Sequence, residues 1–260
     1  MKQSVFLSAV IVITMVVALV IYLLILGNPE NFKDGENREV PRNLLGTVFT
    51  GGLIVPVLIA LTLINLTLVF ERTFSLKKAS GRGPITSFLK TVQSNLMSGR
   101  VDEAIKACDA QRGSAANIIR TGLERYKVIV QDKKLDVEKK MAETQRAIEE
   151  ATSLETPLLE RNLIAMSTIA SIATMFGLLG TVIGMIRAFT ALAAAGGAPD
   201  AIQLSIGISE ALINTALGLF AAIIGIVAYN FFVTKVDNFT YMIDEASYNV
   251  VQILNTKTTD

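Results

Sequence analysis

The chain has 260 residues, an apolar fraction of 51% and a formal charge of +1 from 24 basic and 23 acidic side chains, with a mean hydropathy of +0.50. This composition points to a membrane protein in contact with lipid, and the balanced charge offers no basic tract for nucleic acid. Histidine is absent and Cys108 is the lone cysteine, which excludes Ser-His-Asp and Cys-His catalysis, histidine-held metals, CxxC sites and an intrachain disulfide, so neither an enzyme nor a metal or other cofactor is expected.

Residues 1–29 form the first segment. After Lys2 the stretch QSVFLSAVIVITMVVALVIYLLILGNP carries no charge and exceeds the ~20 residues that a bilayer core requires. A cleaved signal peptide would have an apolar core of only about 7–15 residues and a small-x-small cleavage site. ILGNPE fits that poorly, so the segment reads as an uncleaved transmembrane anchor. Residues 30–43, rich in Asn, Gly, Pro and mixed charge, form a periplasmic loop. Residues 44–70 form a second span, with Pro56 inside it and able to kink it.

Residues 71–161 are charged and read as a helical cytoplasmic domain. GPITSFLKTVQSNLMSG, RVDEAIKACDAQ, SAANIIRTGLERYKVIV and DVEKKMAETQRAIEEATSLE each show helical spacing of apolar residues. Cys108 falls on an apolar stripe and reads as a packing residue. Pro157 is placed to break or kink the last of these helices.

Residues 162–235 form a transmembrane hairpin. Span three starts near Asn162 and runs to Ala195, the turn AAGGAPD follows, and span four runs from about Ile202 to Val233. Both exceed a bilayer's ~20 residues, so they tilt or extend past the membrane. Residues 236–260 read as a cytoplasmic tail, an amphipathic helix that frays at its end. The fold class is therefore all-α: a polytopic helical membrane protein with four predicted transmembrane helices and a helical cytoplasmic domain.

Basic residues near the membrane ends set the orientation. Arg72, Lys77, Lys78, Arg82 and Lys90 follow span two, Arg161 precedes span three and Lys235 follows span four, while the turn has none. Residues 71–161 and both termini are thus expected in the cytoplasm.

The hairpin carries the polar residues that need explanation. Glu210 is the lone charge between Ala201 and Thr234. With the turn centred near Ala198, Thr181 and Thr215 each stand 17 residues from it, and Arg187 and Glu210 stand 11 and 12. The threonines therefore share a depth of roughly 25 Å below the turn and the charged pair one of roughly 17 Å. An unpaired charge in lipid costs at least ~2.5–3.5 kcal/mol, so Arg187, on the adjacent helix or on a neighbouring subunit, is the expected partner of Glu210. Five residues separate Glu210 from Thr215, or roughly 140° of helix. The threonines and the charged pair thus face different ways, one face able to line a polar lumen and the other to fasten helices. Gly177, Gly180 and Gly184 in span three, with Gly218 in span four, allow close helix approach. On spacing alone they are packing contacts or part of a functional face.

GLLGTVIGMIRAF (177–189) with ISEALINTALGLFAAIIGIVAYN (208–230) resembles the paired signature of the proton-channel family that contains ExbB, TolQ and MotA, most nearly its ExbB/TolQ branch. The likeness extends from about residue 84 to 255 and includes GRVDEAIKAC and IIRTGLERY. It implies a homo-oligomeric ring, a pentamer, around a dimer of a single-span ExbD- or TolR-like partner that bears the proton-carrying aspartate. It further implies pore-lining roles for Thr181 and Thr215, an intramembrane acid at Glu210, a TonB- or TolA-like transducer, and a place in a Gram-negative inner membrane. Two prolines common in the family are absent, with Thr174 and Ile224 at their positions, and the N-terminal span is additional to the three of a typical ExbB. The sequence thus reads as the ring subunit of a proton-driven motor that energises outer-membrane import. The rivals are a TolQ-like subunit and a membrane scaffold with no ion path. A solute transporter would show repeats and broken helices.

Overall fold

The computed structural model describes residues 2–38, 40–132, 134–194 and 201–259. Nine α-helices appear among them: α1 (Lys2–Val20), α2 (Leu44–Phe49), α3 (Ile54–Ala79), α4 (Ile85–Met97), α5 (Val101–Gln111), α6 (Ser114–Ile129), α7 (Val137–Glu160), α8 (Leu163–Ala194) and α9 (Ala201–Thr259). No strand occurs among the described residues, only a lone bridge between Phe32 and Pro41. Four helices are long and apolar enough to cross a membrane, and the protein is a multi-pass all-α membrane protein. The Gly-Pro turn expected between α8 and α9 lies outside the described residues.

The chain divides into two compact units. The first comprises the chain up to Phe70 together with Asn162–Asn230. Here α1 continues as a π-helical turn, Ile21–Leu26. Asn31 then donates from Nδ2 to the carbonyls of Ile25 and Leu26 at 2.7 and 3.1 Å, satisfying groups that a helix end leaves open. Asn43 caps α2, its side-chain oxygen accepting from the Gly46 amide at 3.0 Å.

The second span is not one helix from residue 44. It breaks at Thr50–Leu53, where Gly52 adopts φ +73°, and resumes at Ile54. Pro56 therefore falls in the first turn of α3, where no amide is needed. The proline positions of the sequence likeness both fall in unbroken helix. At one of them the Thr174 hydroxyl donates to the Ala170 carbonyl at 3.3 Å.

Helices α8 and α9 meet along a seam of small residues. A Cβ on Gly177 would lie 3.1 Å from the Gly218 Cα, and one on Gly184 would lie 2.6 Å from the Ala211 amide nitrogen. Gly180 faces Asn214, and Gly207 faces Ala188, whose amide nitrogen a Cβ would approach to 2.7 Å. At Gly177, Gly184, Gly207 and Gly218 the facing atoms are backbone, and the helices close to contact distance there, the arrangement that membrane helices use when lipid is as apolar as leucine.

The second unit comprises Glu71–Arg161 and the chain from Phe231 onward. Its core joins α4–α7 to the later part of α9, through Phe88, Val92, Leu96, Ile119, Leu123, Tyr126, Val250 and Leu254. Cys108 sits inside it, and burial pushes its thiol up to about 12, so it is an inert packing residue. Arg72 is wholly buried, bonded to Glu71 at 2.7 Å and to the Leu159 carbonyl at 3.2 Å. Helix α7 continues past Pro157 to Glu160, and Asn162, at φ +62°, marks the break before α8. Helix α9 is continuous to Thr259, so the fourth span and the amphipathic helix expected after it are one element.

Candidate functional site: a buried ion pair in the transmembrane hairpin

Three pieces of chain converge on Glu210. It lies on α9 with its side chain only 4% exposed. From α8, Arg187 Nη1 donates to both carboxylate oxygens, at 2.9 and 2.7 Å. From the turn before α3, Gly52 closes the third side: a Cβ there would lie 2.7 Å from Glu210 Oε1 and 3.7 Å from Arg187 Nη1. A side chain larger than hydrogen would displace the pair, and φ +73° adds a second reason for glycine. The pair is asymmetric. Arg187 is 58% exposed, so one charge is sealed in while its partner reaches outward.

One helical turn further along α9, Asn214 is fully buried. Its Nδ2 donates to the Gly51 carbonyl at 2.8 Å, and Oδ1 has no protein partner. Asn65 on α3 is a second fully buried amide. Its Nδ2 reaches the Ala221 carbonyl at 3.5 Å while its Oδ1 is unpaired. Gly225 leaves room for it, since a Cβ there would come 2.6 Å from Asn65 Nδ2. Each unpaired buried oxygen leaves an acceptor whose desolvation is uncompensated by protein.

The two threonines bind neighbouring carbonyls of the same helix. Thr181 Oγ1 donates to Leu178 O at 2.6 Å within α8, and Thr215 Oγ1 donates across the seam to Gly177 O at 3.4 Å. The two hydroxyls therefore sit at one level. Thr181 also lines an open groove with Val182, Met185, Ile186 and Phe189. Gly177, Gly180, Gly184 and Gly218 all lie in the seam. Among the described residues no cluster of acids and cysteine could hold a metal.

The structure thus brings together Arg187 and Glu210, and separately Thr181 and Thr215. It adds Gly52, Asn214 and Asn65, which sequence reasoning did not single out. Asn65 and Asn214 carried a signal, being amides inside uncharged spans. So did the Gly51-Gly52 pair, a common turn dipeptide. Nothing local to Gly52 announces a carboxylate 158 residues away.

The sequence profile described as the MotA/TolQ/ExbB proton channel family matches residues 110–245, a stretch that holds both threonines, Arg187 and Glu210. The chain is 29% identical over 180 residues to the Tol-Pal system protein TolQ of Pseudomonas aeruginosa, covering 69% of this chain and 77% of that one. It is 30% identical over 199 residues to an ExbB-like biopolymer transport protein of Synechocystis sp., covering 75% and 72%. It is 38% identical over 104 residues to the biopolymer transport protein ExbB of Xanthomonas campestris, covering 37% and 40%. With more than half its length matched, this chain belongs to the MotA/TolQ/ExbB proton channel family.

Proposed function

We propose that this protein is the ring-forming subunit of a proton-driven motor in a Gram-negative inner membrane. It works with a dimer of an ExbD-like single-span partner and energises a TonB-type transducer for outer-membrane import. The observation that carries the reading is the pair of threonine hydroxyls on successive carbonyls of α8, in the stretch that the family profile covers. Five copies would bring these hydroxyls around one lumen.

The partner's aspartate would carry the proton there. Ionised, it would draw the Thr181 and Thr215 hydroxyl protons away from the Leu178 and Gly177 carbonyls, with water completing its shell. Protonated, it would lose that attraction and let the partner shift or turn. Glu210, bonded through both carboxylate oxygens to Arg187, would fasten the helices rather than ferry protons. Residues 71–161 and the C-terminal stretch would face the cytoplasm, as the basic residues that flank the spans favour. A second reading, a TolQ-like subunit of a Tol-type envelope motor, is favoured by the likeness to the Pseudomonas aeruginosa protein.

The test is co-purification with the single-span protein encoded beside this one, followed by native mass spectrometry. A ring of this chain around two copies of an aspartate-bearing partner supports the motor. A homo-oligomer that never takes up such a partner removes the proton carrier and leaves a scaffold.

A further inference from the structure

The N-terminal span and its loop lie outside the stretch that the family profile matches, and their contacts converge on one side chain. Phe49, the last residue of α2, is held on four sides. The Tyr22 ring stacks on it at 4.6 Å and 16°. Phe32 meets it edge-on at 5.5 Å. The Arg38 guanidinium stands 5.8 Å above its centroid. Gly27 lies so close that a Cβ would come 2.8 Å from the ring. Tyr22 also donates its hydroxyl to the Phe49 carbonyl at 3.3 Å.

Phe49 is anchored from the other end as well. Asn31, bonded to the end of the π-helical turn, accepts from Asn43 Nδ2 at 2.9 Å, and Asn43 caps α2. Helix α2 is therefore pinned at both ends by the N-terminal segment. Three residues after Phe49 comes Gly52, whose amide donates back to the Phe49 carbonyl at 3.1 Å and whose Cα faces Glu210.

We infer that the N-terminal segment is a clamp that positions the Thr50–Leu53 turn over Glu210, with Tyr22 and Phe49 as its positioning residues. The route is one of direct contacts: Tyr22 ring to Phe49 ring, Phe49 carbonyl to Gly52 amide, Gly52 to the carboxylate. Polar contacts are strengthened when water is excluded, so holding the turn shut keeps the Glu210–Arg187 pair dry on that side. Releasing the clamp frees the turn and admits water to a carboxylate that is otherwise sealed. The significance for the motor rests on the function proposed above; the clamp itself does not.

The test is chemical access to Glu210 in membranes that contain the full chain. A water-soluble carbodiimide with glycine methyl ester modifies carboxyls that water reaches, and peptide mass spectrometry reads the modification at Glu210. Tyr22→Ala is expected to raise its rate about threefold to tenfold, the range that losing one aromatic pair allows, and Phe49→Leu, which also loses the Phe32 contact, by at least as much. Tyr22→Phe, which keeps the stacked ring, is expected to stay within about twofold of the unaltered chain, as the loss of one weak neutral hydrogen bond allows. Val12→Ala, on the exposed face of the same span, and modification of the exposed Glu149 serve as controls.

Unchanged access in both Tyr22→Ala and Phe49→Leu would overturn the clamp. So would equal acceleration by Val12→Ala, which would mean general loosening. If Tyr22→Ala fails to accumulate, Phe49→Leu decides. The readout needs neither partner nor proton flow, so failure of the motor reading and failure of the clamp are told apart.

Discussion

Asn214 and Gly51 are joined by a 2.8 Å hydrogen bond between chain positions 163 residues apart. The amide of Asn214 is fully buried, and the carbonyl it meets belongs to the turn that interrupts the second span. Asn214→Ala removes the donor and strands the Gly51 carbonyl. The expected cost is about 1–3 kcal/mol, seen as a lower thermal midpoint of the detergent-solubilised protein. Asn214→Leu, which keeps a branched side chain in the space that Gly180 leaves open, removes the same donor and is expected to strand the same carbonyl.

Removing one member of the intramembrane pair exposes the cost of the other. Arg187→Ala leaves Glu210 sealed and unpaired, at a penalty of at least about 2.5 kcal/mol in lipid. Membrane accumulation is expected to fall several-fold. The double variant Arg187→Ala/Glu210→Gln is expected to recover most of it, since the stranded charge is gone. Equal loss in both variants, measured by quantitative immunoblot of membranes, would rule out charge as the cause.

Thr181→Val and Thr215→Val change a hydroxyl to a methyl at nearly constant volume. Thr181 loses a bond to its own helix and Thr215 a long one of 3.4 Å, so thermal midpoints are expected to move little. Proton-driven work is expected to be lost in both. Proton uptake by vesicles containing the chain and its partner checks this, and normal uptake in both variants would remove the threonines from the path.

In the charged unit, acid is expected to loosen helix packing. The Lys127 ammonium, hydrogen-bonded to Asp102, and the Arg125 guanidinium, hydrogen-bonded to Glu143, hold these carboxyls below their ordinary values of 3.8 and 4.5. Folded-state values below the unfolded ones give stability that is present above the unfolded values and lost as pH falls through the folded ones. Asp102 is exposed and Glu143 partly so, and solvent screens both, so the effect is small and shrinks with salt. Thermal midpoints measured from pH ~5 to pH ~3, where carboxylates titrate, should fall less steeply in Asp102→Asn and Glu143→Gln than in the unaltered chain.

The spans were legible because charge is absent from them, and lipid tolerates little of it. Arg187 and Glu210 stand at nearly equal distances from the turn, so an antiparallel hairpin brings them together on counting alone. The break at Thr50–Leu53 had a local signal in Gly51-Gly52, but the apolar run resumes at once after it, and the turn is held by Asn214 and Phe49, one remote in sequence and the other held by the preceding span. The fourth span and the amphipathic helix after it form one helix. The fall in hydropathy near residue 233 marks where lipid contact would end, and no glycine or proline follows Gly225 to stop the helix there. Among the basic residues that follow span two, Arg72 is buried while Lys77 and Lys78 are exposed, a difference that sequence position alone does not show.

The glycines differ in what a genetic suppressor could do for them. Gly122 faces the Ile148 side chain, so the crowding caused by Gly122→Ala can be relieved by trimming its neighbour, as in Ile148→Ala, which removes both of the atoms in the way. Gly177, Gly184 and Gly218 face backbone atoms of the opposing helix, and backbone cannot be trimmed. A screen for second-site revertants should therefore return compensating changes for Gly122 and mainly true reversions for the seam. The α8–α9 contact would then behave as a mutationally frozen line, its residues fixed jointly while the lipid-facing flanks drift.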